Sequence, residues 1–190
     1  MTNGHAVAMK ENILYTVGHS SRSAGILCDL LSTAHVTTVA DVRTVPRSSR
    51  FPWFDQGSLG KMLEEEGVDY VWVGRQLGGR RPSVPDSPHV ALKPDMRGYA
   101  DHMATEAFRR TIHGLCVMAR ERRLAILCAE RRPENCHRSF LSDYFVHAEG
   151  FRVTHLIDVC IAEEHRVSPH LRWNAGIPVY DRWATGSLFS

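Results

Sequence analysis

Cys128, Glu130, Cys136, His137 and Arg138 fall within one short stretch, "CAERRPENCHR". Their types suit chemistry. A thiol beside a cation becomes a thiolate, the form that attacks electrophiles. An imidazole serves as base or hydrogen-bond donor, and a carboxylate moves protons. Pro133 suits the first turn of a helix and Asn135 reads as its N-cap. That places Cys136, His137 and Arg138 in the first turn, where free N–H groups and the helix dipole favour an anion. The stretch therefore fits a phosphate, a carboxylate or a nucleophilic sulfur, with Cys136 the more reactive thiol and Cys128 buried at a strand end. The plainer alternative makes both cysteines packing residues and leaves His137 exposed.

Two further groups stand at the ends of apolar runs. In "DVRTVPRSSRFPWF", Asp41 and Arg43 are followed by Arg47, Arg50, Phe51, Trp53 and Phe54. Arginines interleaved with aromatics can hold a phosphate and stack on a base. Alternatively, Asp41 pairs with Arg43 and the aromatics pack over the sheet end. "TVGHS" offers His19 as acid or base and Ser20 as a hydroxyl donor. The segment "GRQLGGRRPSVPDS" is neither a dinucleotide fingerprint nor a Walker A loop. It suits a mobile lid or a solvated loop. Cys128, Cys136 and His137 with His19 are the donors a metal would use, but their spacing is not that of a zinc knuckle or ribbon. No metal or other cofactor is expected.

These residues need a scaffold that brings them together. Apolar runs at 13–20, 36–43, 68–74, 123–130 and 151–158 read as strands, and periodic segments at 23–34, 56–67, 99–120 and 134–149 as helices. The alternation predicts an α/β fold: a single domain over 13–190 with a mainly parallel sheet of about five strands, after a flexible tail at 1–12. In such folds ligands bind beyond the C-terminal strand ends. His19, Ser20, Asp41, Arg43, Arg75, Cys128 and Glu130 all fall there.

Composition narrows the class. The 190 residues are 43% hydrophobic and 23% charged, enough for one domain with its own core. A formal net charge of +2 gives no bulk attraction to polyanions. Lysine occurs only at 10, 61 and 93, so the positive charge is almost all arginine, the better residue for bidentate phosphate contacts. No apolar run is long enough for a membrane span. Five cysteines without a C-x-x-C pair, and no signal peptide at the N-terminus, predict a cytoplasmic protein with reduced thiols.

"YTVGHSSRS", "VADVRTVPRSSRF", "LGG" and "CAERRPENCHRS" together resemble the DUF488 family, from about Tyr15 to the region of His155. The C-x-E…C-H-R element is its most specific mark. The resemblance implies an α/β domain with a shared site, and no established reaction. A fainter likeness is to rhodanese-type domains, although the compact glycine-containing loop is missing. The C-terminal stretch from Arg172 lies outside the resemblance and receives no role.

The expected function is an enzyme, a hydrolase or group transferase, acting on a phosphate-bearing small molecule or nucleic acid. Cys128, Glu130, Cys136 and His19 are its candidate catalytic groups. Ser20, Asp41, Arg43, Arg47, His137, Arg138 and Trp53 are its candidate binding groups. The alternatives are a non-catalytic module for nucleotides or single strands, and sulfur transfer through a cysteine persulfide.

Overall fold

A computed structural model describes residues 12–182 of the chain. The expected tail lies outside them except for Asn12, whose carbonyl accepts from the Arg152 N–H at 2.9 Å. Strands β1 (Ile13–Gly18), β2 (Thr38–Asp41), β3 (Asp69–Trp72), β4 (Leu124–Cys128), β5 (Arg152–Asp158) and β6 (Ile161–Glu164) form one sheet in the order β3-β2-β4-β1-β5-β6. The first five are parallel, and β6 closes the edge antiparallel to β5. β1, β2 and β4 are buried along almost their whole length, which is why they read as unbroken apolar runs.

Helices cover both faces. On one, α1 (Ala24–Thr33) and α2 (Gln56–Glu65) bury Leu27, Leu30, Leu31, Leu59 and Leu63 against Val17, Val39 and Leu127. On the other, α4 (Pro94–Met103), α5 (Glu106–Glu121) and α6 (Arg138–Glu149) bury Tyr99, Met103, Phe108, Ile112, Leu141 and Phe145 against Leu14, Ile126 and Val153. The helix after β1 thus packs on one face and the helix after β4 on the other. β1 and β4 are neighbours, with Gly18 opposite Cys128. Their C-terminal ends frame a topological switch point, where α/β sheets open a crevice.

Several expected elements are corrected. The single helix over 99–120 is two, because Thr105 is extended and caps both. Its hydroxyl accepts from the Phe108 N–H at 3.2 Å and donates to the His102 carbonyl at 2.8 Å. The glycine-rich loop is interrupted by α3 (Gly74–Leu77), and the helix after β4 starts at Arg138. Asn135 is not its N-cap. Residues Pro133–Asn135 form a 3-10 turn, Cys136 is extended, and His137 occupies the cap without a side-chain bond. Gly67 stops α2 as expected, at φ +71°, where only glycine sits without strain. The C-terminal stretch acquires a structure: β7 (Leu171–Asn174) and β8 (Ile177–Tyr180) pair as an antiparallel ribbon that packs Leu171 and Tyr180 on the α4–α6 face.

Gly18 sets the closest approach at the switch point. A Cβ there would lie 1.8 Å from the Glu130 carbonyl oxygen. Gly18→Ala is therefore expected to cost about 1–3 kcal/mol through overpacking. Gly114→Ala, in α5 with nothing within 4 Å of the added carbon, should instead gain about 0.5–1 kcal/mol. Urea unfolding of both variants measures the contrast, and equal effects would show that the approach at Gly18 is not constraining.

Candidate functional site

The strand ends behave differently from one another. Asp41 is fully buried, and both of its oxygens are occupied. Arg43 Nε lies 3.0 and 3.1 Å from its two oxygens and Nη2 lies 2.6 Å from one, while the Tyr70 hydroxyl donates at 2.7 Å. Arg43 Nη1 donates to the Phe54 carbonyl at 2.7 Å and approaches His19 Nε2 at 3.2 Å. His19 Nδ1 lies 2.9 Å from the Ser20 carbonyl. Only the Nδ1–H tautomer of a neutral ring satisfies both contacts. Burial first, then the Arg43 charge, holds the His19 imidazolium down to about 4 against the hydrogen bond to Ser20 and the Asp41 charge. Burial and the Asp41 carboxylate push the Tyr70 phenol up.

Past β4 the chain turns sharply. Arg131 pairs with Asp158, and Arg132 with Glu163 at 2.8 Å, so these two arginines clamp the turn to the edge strands. Arg138 reaches back under the same turn. Its guanidinium, fully buried, donates to the Glu130 and Arg131 carbonyls and to Thr16 Oγ1. The turn then delivers Cys136 beside Cys128. Cys136 Sγ lies 3.7 Å from His137 Nδ1 and accepts from the Arg138 N–H at 3.4 Å; Cys128 Sγ lies 4.0 Å from the same ring nitrogen. The Cys128 and Cys136 sulfurs lie within 4.8 Å of each other. The neighbouring Cys128 thiol, with help from His137 and Arg138, holds the Cys136 thiol well below its ordinary value despite burial. The neighbouring Cys136 thiol, and burial in the same direction, push Cys128 up.

His19, Arg43, Arg47, Cys128, Glu130, Cys136 and His137 line one cavity of about 610 Å³, together with Thr44, Ser48, Gly79, Arg80 and Tyr99. A larger cavity of about 1060 Å³ adjoins it at Met96, lined by Asp143, His155 and His165, but neither thiol reaches it. The smaller one holds the reactive groups. Four expected site residues do not line it: Ser20, Asp41, Trp53 and Arg138. Asp41 holds Arg43 and Arg138 is spent on carbonyls, because a buried charge needs its hydrogen bonds inside the protein. Trp53 donates its indole N–H to the Arg22 carbonyl at 3.2 Å, away from the cavity. Arg75 is exposed on α3. His19 lines the cavity, but both of its ring nitrogens are engaged. At the start of α6, the Cys136, Arg138 and Ser139 N–H groups already have acceptors within the protein. Tyr99 was missed as a site residue, because its helical spacing signals only a core position. Among the described residues, the donors that come together closely enough to hold a metal are Cys128, Cys136 and His137, without His19.

The profile of the family described as "Domain of unknown function DUF488" matches residues 24–145. The chain belongs to the DUF488 family. The matched DUF488 range carries Asp41, Arg43, Arg47, Cys128, Glu130, Cys136, His137 and Arg138, whereas His19 and Ser20 precede it. No curated protein and no solved structure matches the chain. Among the described residues, no helix is long and apolar enough to cross a membrane.

Two measurements test this geometry. In reduced, chelator-treated protein near neutral pH, iodoacetamide should alkylate Cys136 well before Cys128. Cys116, buried and pushed up to about 12, should stay unlabelled, and exposed Cys160 should label freely. Peptide mass spectrometry reads the order, and faster labelling of Cys128 would reverse the assignment. The second concerns stability. Folded His19 and His155 stay neutral down to about 4 and about 3, whereas the unfolded chain takes up those protons below 6.5. Stability is complete above pH 6.5 and falls as the pH drops from there towards 4 and then 3, by at most about 1.4 kcal/mol per pH unit for each ring. Urea midpoints against pH should fall across that window, and His19→Gln should flatten the fall.

Proposed function

We propose that this DUF488 protein is an enzyme, a hydrolase or group transferase, acting on a phosphate-bearing substrate of the nucleotide or nucleic-acid class. One observation carries the reading. Two neighbouring buried thiols, Cys128 and Cys136, line a cavity of about 610 Å³ that is also lined by Arg47 and Arg80. Both arginines are exposed, and neither side chain has a protein partner among the described residues. They are the cations free to meet an anion, a role that Arg43 and Arg138 do not fill. Ligand pockets of this size accept a molecule as large as a nucleotide.

In this reading Cys136 attacks, with the Cys128 thiol and the Arg138 N–H stabilising its sulfur. Glu130, exposed in the lining, exchanges protons with the leaving or entering group. Arg47 and Arg80 bind the phosphate. A purely stacking module for single strands is less well served, since Trp53 stands off the cavity. Persulfide chemistry is the second reading, favoured by the backbone N–H aimed at Cys136 Sγ. It predicts an intact mass heavier by one sulfur that reductant removes.

The test is a thermal-shift screen with inorganic phosphate, nucleoside phosphates and short oligonucleotides. A ligand at 100 times its Kd should stabilise the fold by about 2.7 kcal/mol. Arg47→Ala with Arg80→Ala should abolish the shift. Cys136→Ser should keep the shift and lose turnover of the ligand that gives it. If no phosphate ligand raises Tm, or if the double variant shifts like the parent, the substrate class is wrong.

A further inference from the structure

We propose that Cys128, Cys136 and His137 form a three-donor site for a soft divalent cation of the zinc class, with its fourth position open to the cavity. The proposal rests on donor geometry and does not depend on Cys136 acting as a nucleophile.

The three donor atoms lie within 4.8 Å of one another. His137 Nδ1 is 3.7 Å from Cys136 Sγ and 4.0 Å from Cys128 Sγ. A tetrahedral zinc with bonds of about 2.3 Å to sulfur and about 2.0–2.1 Å to nitrogen has sulfur–nitrogen edges of about 3.6 Å and a sulfur–sulfur edge of about 3.8 Å. Shifts of a few tenths of an ångström would bring the observed sulfur–nitrogen separations to those values. Two thiolates and an imidazole select zinc-like ions over magnesium or calcium, which prefer oxygen. Three protein ligands with one open position is the arrangement of zinc sites that exchange a water or substrate.

The His137 ring is held by packing with Nδ1 towards the sulfurs. It is buried, and its Nε2 has no hydrogen-bond partner. The ring is positioned by packing instead, 4.9 Å from the Tyr99 ring and against Gly79. A Cβ on Gly79 would come within 2.4 Å of Nδ1, so glycine keeps the volume beside the donor nitrogen free. The polypeptide also holds the donors ready. Cys128 ends a central strand, and the turn carrying Cys136 and His137 is tied down by the buried Arg138. Preorganised donors reduce the ordering cost of taking up the ion. The seven-residue gap between the cysteines matches no zinc knuckle or ribbon, so the sequence names these donors but only the turn brings them together.

Occupancy has a chemical consequence. A bound cation engages a lone pair on each sulfur, so the loaded and thiol-reactive states exclude each other. Chelation would expose Cys136, and loading would mask it.

Cobalt(II) titration of the reduced, chelator-stripped full chain tests the site. One equivalent should produce sulfur-to-cobalt charge-transfer absorption and the intense visible bands of a tetrahedral thiolate complex, and zinc should displace it. Cys128→Ser and Cys136→Ser should each remove or shift the charge-transfer band. His137→Ala should weaken binding at least about tenfold, and Cys160→Ser should change nothing. No stoichiometric bands, or bands unaltered in Cys136→Ser, would overturn the proposal. If a variant fails to fold, the parent protein still decides: cobalt should protect Cys128 and Cys136 from iodoacetamide, and unchanged labelling refutes the site. Turnover of a phosphate ligand by the stripped protein is a separate readout, so the metal site and the proposed activity can fail independently.

Discussion

The Arg138 guanidinium has no exposure to solvent, and its two terminal nitrogens tie together distant parts of the fold, while its Nε finds no partner among the described residues. It binds the Glu130 and Arg131 carbonyls directly and Thr16 Oγ1 at 3.3 Å. From Thr16 a buried chain runs on. His155 Nδ1 lies 2.7 Å from Thr16 Oγ1, His155 Nε2 lies 3.0 Å from His165 Nδ1, and His165 Nε2 lies 2.8 Å from Asp143. With both rings neutral, every hydrogen can point one way, from the arginine to the carboxylate. Burial first, and then neighbouring positive charge, keep the His155 imidazolium down to about 3. Arg138 and Asp143 thus stand at opposite ends of one buried polar chain through Thr16, His155 and His165. Leaving a buried polar group of this chain unpaired costs about 1–3 kcal/mol.

That chain explains the C-terminal ribbon. Asp143 also accepts from the Tyr180 hydroxyl and the Ser168 N–H, both at 2.9 Å. The ribbon and the loop before it therefore complete the shell of a carboxylate on α6, while the arginine at the other end fixes the turn that delivers Cys136. Distant segments support the thiols through a continuous polar network rather than through direct contact.

Asp41 and Arg43 play a comparable part at the neighbouring strand end. Their pairing, completed by Tyr70, Phe54 and His19, leaves an arginine at the cavity wall whose contacts are largely internal. The arginines therefore divide by burial. Arg43 and Arg138 build the site, Arg131 and Arg132 pin its outer turn, and Arg47 and Arg80 remain available to a ligand. Types alone do not make that division, because all six carry the same charge.

Periodicity and apolar runs in the sequence determine the layered α/β fold, the parallel sheet and the strand ends bearing His19, Asp41 and Cys128. These are local signals: one face of a helix or an unbroken strand shows in consecutive residues. The C-x-E…C-H-R element likewise marks a reactive turn and the family. Other features arise only from contacts far apart in sequence. The break at Thr105 depends on a hydroxyl outcompeting the helix ladder. The ribbon at 171–180 needs Asp143 and the α4–α6 face to hold it. Arg138 reads as a surface ligand-binder until the fold surrounds it with carbonyls. Tyr99, Gly79 and Arg80 join the thiols only because the segment around α3 and α4 folds over the switch point. Sequence supplies the reactive types and the scaffold that carries them. Burial, which depends on the whole chain, decides which charges are spent holding the structure and which remain free to act.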